Sequence, residues 1–239
     1  MAVRFPTDLA DDASAKATAV TKQQAVYRTL REAILRCELR PGSRLVIDDL
    51  ARQHHVSIIP VREALRQLQA EGLVLTVAHV GGTVAPISFD SVVEVFTVLE
   101  GLEVAATRAA AERATADDFA ALAGLVADMD AAIEAGSPGR WAELNTEFHL
   151  AIGDIARMPM LRDMLRRAFD HWERVRRHYF SDVLIHRTRQ AQAEHRQLLD
   201  QIRARDLVRL EQTIRQHNRA ALAAYTAYLD SPLRQERQR

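Results

Sequence analysis

Residues 50–74 read Leu50-Ala51-Arg52-Gln53-His54-His55-Val56-Ser57-Ile58-Ile59-Pro60-Val61-Arg62-Glu63-Ala64-Leu65-Arg66-Gln67-Leu68-Gln69-Ala70-Glu71-Gly72-Leu73-Val74. Ser57 is a good N-cap, and Val61, Leu65 and Leu68 recur at helical spacing as far as Glu71, where Gly72 supplies a C-terminal stop. Arg62 and Arg66 are four apart and share one face of this helix, away from the apolar side made by Val61, Ala64, Leu65 and Leu68. Such a face is available for phosphate or guanine contact. The pattern alone serves a solvated surface helix with an arginine pair equally well.

Toward the N-terminus, Val26, Leu30, Ile34 and Leu35 mark a helix from about Lys22 to Cys37, and Pro41-Gly42 breaks it. Asp48 and Asp49 open a short second helix. Toward the C-terminus, two β-like stretches, Leu73 to Val77 and Thr83 to Pro86, flank a hairpin turn at His79-Val80-Gly81-Gly82. Three helices followed by a hairpin is the order of a winged helix-turn-helix. Beyond Pro86 the chain reads as amphipathic helices over 89–112, 116–135, 139–157, 159–180, 187–205 and 207–229. Thr115 and Asp118 form a capping-box pair, and Gly136, Pro138-Gly139 and Pro159 are the clearest breaks. The expected fold is mainly α, with a flexible tail over 1–21, a winged helix-turn-helix over 22–87, an all-α bundle over 88–230 and a C-terminal tail over 231–239.

Composition agrees with that class. Hydrophobic residues make up 48% of the 239 and aromatic residues only 5%, which favours packed helices over sheet. The single cysteine, Cys37, excludes an internal disulfide. No apolar run approaches membrane-spanning length and no signal-peptide pattern opens the chain, so a soluble, cytoplasmic protein with no membrane partner is expected. The 32 basic residues balance the 32 acidic ones, which excludes a simple polyanion binder. Residues 20–90 hold nine Lys or Arg against seven Asp or Glu, so the position of cations must matter more than their number.

The run from Leu50 to Val74 closely resembles the signature of the GntR family of transcription regulators, LAxxxxVSxxPVREALxxLxxEGLV. Leu39-Arg40-Pro41-Gly42-Ser43-Arg44-Leu45 resembles the family's turn between its first two helices. The resemblance implies a regulator that binds a double-stranded DNA operator. Ser57, Arg62 and Arg66 would contact DNA, and the Gly81-Gly82 tip would approach the minor groove. This chain departs from the pattern at Ile58-Ile59, where relatives commonly carry Arg-Thr. It also has no Lys or Arg between Arg66 and Arg108, so the wing lacks a cation and phosphate contacts fall to Arg28, Arg31, Arg44 and Arg52.

Of nine histidines, His54, His55, His79, His171, His178 and His186 read as surface residues. Asn145 and His149 lie four apart on one helix, and His195 and His217 each fall among apolar positions of a different helix. By spacing alone these are ordinary core or boundary histidines, since such long separations are a weak metal signal. Residues 89–230, however, resemble the FCD effector domain of FadR-type GntR regulators. Its pattern places Asp or Asn four residues before the His of a Phe-His pair, then one His on each of two later helices. Asn145, His149, His195 and His217 match those ligand positions in order.

The resemblance implies a divalent metal ion (Zn, Ni or Mn) on three imidazoles, with open positions for a small-molecule effector such as a carboxylate. It also implies a homodimer on a palindromic operator, with repression relieved by ligand the commoner arrangement. Asn145 supplies a neutral oxygen where Asp would carry charge, which lowers metal affinity. Two rivals remain: a metal-free acyl-binding regulator, and a metal-dependent enzyme. The enzyme needs a general base, and the nearest in sequence, Glu147, is two residues from both Asn145 and His149 and faces away from them.

Overall fold

Thr21 starts the first helix with a reciprocal cap, its hydroxyl accepting from the Gln24 amide while Gln24 Oε1 accepts from the Thr21 amide. In the computed structural model the described residues are 21–77, 81–179, 183 and 186–230. The expected tails (1–20 and 231–239) and the turn residues His79 and Val80 lie outside them. Contacts divide the chain into two compact units that meet between Ile87 and Ser88.

The first unit comprises α1 (Lys22–Leu35), β1 (Arg44–Val46), α2 (Ile47–Gln53), α3 (Ile58–Ala70), β2 (Val74–Val77) and β3 (Gly81–Val84). The apolar stripes of α1 (Val26, Leu30, Ala33, Ile34) and α3 (Val61, Ala64, Leu65, Leu68) share one core with Leu39, Leu45, Leu50 and Leu73. The helix order and the hairpin match the winged helix-turn-helix expected from sequence. The structure adds a third strand. β1 pairs antiparallel with β3, which pairs antiparallel with β2, giving the order β1-β3-β2. Three residues are too short for alternation to show, which is why β1 is invisible in the sequence.

That third strand changes the reading of the glycine pair. Gly81 and Gly82 are buried within β3, facing Val46 and Leu45 of β1 on one side and Val77 and Thr76 of β2 on the other. Gly81 has φ +129°, and a Cβ there would meet the Leu45 carbonyl oxygen at 2.0 Å. A Cβ on Gly82 would meet Val74 Cγ1 at 2.6 Å. These glycines let three strands close up; they do not form an exposed tip.

The second unit is built of α4 (Phe89–Arg113), α5 (Ala116–Glu134), α6 (Pro138–Ile155), α7 (Pro159–Tyr179), α8 (Thr188–Ala204) and α9 (Leu207–Leu229). Ser88 and Thr115 cap α4 and α5 with boxes to Ser91 and Asp118. Arg205 takes a left-handed conformation (φ +53°) at the end of α8, and the Asp206 side chain accepts from the Arg209 amide to start α9. α4 packs against α6, α7, α8 and α9, and so forms the spine of the bundle. Among the described residues, no helix is long and apolar enough to cross a membrane.

Gly81→Ala is expected to destabilise the chain by at least about 2 kcal/mol, because the backbone must both leave its φ and yield at Leu45. Urea denaturation of the full chain measures this. A stability within about 0.5 kcal/mol of the parent would show that the three-stranded closure is not required.

Candidate metal centre and DNA-facing helix

α3 presents its exposed side as Ser57, Ile58, Ile59, Arg62 and Arg66. The Ser57 hydroxyl makes no capping bond and is exposed. Arg62 is exposed with no ion-pair partner among the described residues, whereas Arg66 pairs with Glu63. Arg52 likewise pairs with Asp49 across one turn of α2. Such exposed pairs are weak and open readily to a stronger anion. Arg31 is different: its Nε lies 3.0 Å from Glu71 Oε2, and the Tyr27 hydroxyl donates to Glu71 Oε1 at 2.5 Å. Arg31 therefore straps α1 to the end of α3. Arg28 and Arg44 are exposed without ion-pair partners among the described residues, and so is Arg40, which the sequence reading passed over.

In the bundle, three helices bring the four predicted metal ligands together. Asn145 and His149 come from successive turns of α6, His195 from α8 and His217 from α9, and all four are buried. The three imidazole centroids are 5.0–5.2 Å apart, and one ring nitrogen of each lies within 4.8 Å of the others. Asn145, His149 and His217 line a cavity of about 30 Å³, together with Glu103 of α4 and Arg187 just before α8.

The partners of the rings decide what they can do. His149 Nδ1 lies 2.5 Å from Glu103 Oε1, and His217 Nδ1 lies 2.7 Å from Glu194 Oε2. His195 Nδ1 lies 3.4 Å from Gln192 Oε1. Trp141 Nε1, which can only donate, also points to that Oε1 at 3.2 Å, while Gln192 Nε2 donates to the Val126 carbonyl and to Asp130. The Gln192 oxygen is thus an acceptor, and His195 Nδ1 carries the proton. The neutral His195 therefore keeps its lone pair on Nε2, which is fully buried and has no hydrogen-bond partner among the described residues. A buried, unmatched lone pair beside two further imidazoles fits a cation, so the residues present fit a divalent metal.

The local electrostatics agree. Burial, with the nearby charges of His217, His149 and Arg187, holds His195 well below its ordinary 6.5. Burial lowers His217 too, against the raising effect of its Glu194 hydrogen bond. Burial pushes the Glu103 and Glu194 carboxyls up. For Glu103, the charge and hydrogen bond of His149, with His217 and Asn218, outweigh that effect; for Glu194, His217 and Arg187 do so. Both carboxyls end below their ordinary range and are ionised. Glu103, Gln192, Glu194 and Arg187 were not singled out from sequence: Gln192 precedes His195 by three residues on α8, whereas nothing in the spacing of Glu103, Glu194 and Arg187 ties them to His149 or His217 on other helices. Glu147 is exposed and paired with Arg140 at 3.6 Å, so the base required by a hydrolytic reading is absent from that position.

Comparison with known proteins places both units. Residues 22–84 match the bacterial regulatory proteins of the gntR family, and residues 94–220 match the FCD domain. The chain belongs to the GntR family. The Nta operon transcriptional regulator of Aminobacter aminovorans is 34% identical over 113 residues, 47% of this chain and 53% of that protein. McbR of Escherichia coli is 33% identical over 127 residues, 53% of this chain and 58% of McbR. The chain thus spans a little over half the length of these two relatives. The solved McbR structure shares the fold, with a TM-score of 0.71 over 87% of this chain and 98% of McbR at 24% identity. RspR, an Escherichia coli transcriptional repressor, is 27% identical over 194 residues, 81% of this chain and 84% of RspR. This GntR protein is therefore a DNA-binding transcription regulator with an FCD effector domain. Its families and relatives are regulators, not enzymes.

The lowered His195 and His217 have a signed consequence. Below 6.5 an unfolded histidine takes up a proton that the buried ring refuses, so the unfolded state binds more protons and stability falls as pH drops through that value. Above 6.5 both states are neutral and this contribution is flat. Chelator-treated protein should therefore unfold at lower urea at about pH 5.5 than at about pH 7.5, and His195→Gln should shrink that difference. An unchanged difference in the variant would remove His195 as its source.

Proposed function

We propose that this GntR regulator is a cytoplasmic repressor that binds a palindromic operator as a homodimer, and that a small organic acid acting at a metal-loaded bundle relieves repression. The observation that carries the effector half is the meeting of three buried imidazoles, a nitrogen of each within 4.8 Å of the others, with His195 Nε2 buried and without a hydrogen-bond partner among the described residues. His149, His195 and His217 would hold the ion, and the Asn145 side-chain carbonyl, one turn before His149 and lining the same cavity, would be the fourth ligand. A divalent ion bound there supplies positive charge and open coordination positions for an oxygen ligand.

Charge balance favours an anionic effector on the loaded site. Glu103 and Glu194 are ionised and Arg187 pairs with Glu194, so a dication held by the imidazoles would add positive charge that an anionic effector can meet. Arg187 is the one cation on the cavity wall, its guanidinium 2.7 Å from Glu194 and 3.2 Å from the His217 carbonyl. A cavity of about 30 Å³ holds an ion or a water or two, not an organic acid. Effector entry must therefore separate helices that line it, α4, α6, α7, α8 and α9, and that movement is the signal available to the DNA-binding unit.

On the DNA side, Arg62 is an exposed cation of the recognition helix with no ion-pair partner among the described residues. Arg62→Ala should weaken operator binding by roughly 1–3 kcal/mol in a fluorescence-anisotropy titration. Two chains should bind per operator duplex; a single chain per duplex would contradict the dimer.

The effector half is tested by the metal content of chelator-free protein beside a His149→Ala, His195→Ala double variant. Near-stoichiometric metal lost in the variant is expected, with di- and tricarboxylates raising the melting temperature of the metal-loaded protein only. Failure of the wild type to retain Zn²⁺, Ni²⁺ or Mn²⁺ would refute the metal site and bring forward a metal-free, less polar ligand.

A further inference from the structure

The first turn of α3 carries two isoleucines that the protein itself does not use. Ile59 is 73% exposed and Ile58 41%, and neither belongs to the core formed by Val61, Ala64, Leu65 and Leu68. Helix formation does not explain them either, because a β-branched residue is a poorer helix former than Arg, Gln or Ala. Nor does capping, since the N-cap position is the preceding Ser57. Ile59, Glu63 and Arg66 follow one another along the outer row of the helix at spacings of four and three, and Arg62 stands beside them without an ion-pair partner. The apolar pair thus opens a face whose next turns are cationic.

A helix-turn-helix protein lays the start of its second helix against the base edges of the major groove. There the bases present hydrogen-bond donors and acceptors, and one apolar group, the 5-methyl of thymine. An isoleucine can neither donate nor accept, so it reads no other feature of those edges. We propose that Ile59, flanked by Ile58, is a specificity-determining residue that selects thymine in the operator by packing on its 5-methyl group. Contact removes apolar surface from water on both partners, whereas cytosine or a purine would leave the isoleucine against polar edges with nothing gained.

The test uses the full chain and an operator enriched by it from a pool of random duplexes. Each thymine is replaced singly by deoxyuridine, which lacks only the methyl group, and affinity is read by fluorescence anisotropy. At one or two thymines per half-site the replacement should weaken binding about fourfold, the equivalent of about 0.8 kcal/mol for one apolar carbon. Ile59→Ala should lose a similar factor on the natural operator and no longer distinguish thymine from deoxyuridine there. Ile59→Val should keep the discrimination, and Arg62→Ala should bind more weakly overall while keeping it. Equal deoxyuridine effects in the wild type and Ile59→Ala, or no sensitive thymine in the enriched operator, would overturn the proposal. So would a change of assembly state in Ile59→Ala without loss of discrimination, which would make this face a protein contact.

Discussion

The chemistry of the bundle depends on three side-chain oxygens placed behind three imidazoles. Glu103, Gln192 and Glu194 each face an Nδ1, and for His195 the facing Gln192 oxygen leaves Nε2 as the lone pair. Gln192 shows how far the constraint reaches. Its amide is locked by Trp141, Val126 and Asp130, so the protonation of His195 is set by groups on α5 and α6 and not by the ring itself. Replacing any of these partners would free a ring to turn or to move its proton. Buried polar networks act as units in this way, because low dielectric makes each unmet group costly.

The two carboxylates add a second effect. A buried anion is unfavourable unless paired, and here the pairing is with rings and amides that cluster where a cation fits. Glu103 touches His149 and accepts from Asn218 at 2.7 Å, so α4, α6 and α9 meet at one charge. Glu194 joins α8 and α9 through His217 and ties in Arg187. Helices that meet at charges rather than at methyl groups have few alternative registers. Movement of one must therefore be felt by the others.

The DNA-binding unit follows a different logic. Its fold rests on aliphatic packing between α1 and α3 and on the closure of three short strands over two glycines. Its surface is sparing with charge: several arginines are engaged by neighbouring acids, and Arg31 acts as a strap between helices. With no Lys or Arg between Arg66 and Arg108, the electrostatic, sequence-independent contribution to affinity falls to arginines outside the hairpin.

Helix positions and their order were legible in the sequence because apolar periodicity, caps and Pro-Gly breaks are local signals. The recognition helix could be read from Ser57 to Gly72, and the six later helices within a few residues of their ends. The GntR motif and the histidine pattern were legible for the same reason, as residues in a line. β1 was not, since a three-residue strand has no period. Nor was the burial of Gly81 and Gly82, which exists only because β1 pairs with β3. The three histidines could be named from the chain, but the oxygens behind their rings could not. Glu103 and Glu194 reach their rings across helices, and Gln192 is aimed at His195 only because Trp141, Val126 and Asp130 on other helices fix its amide.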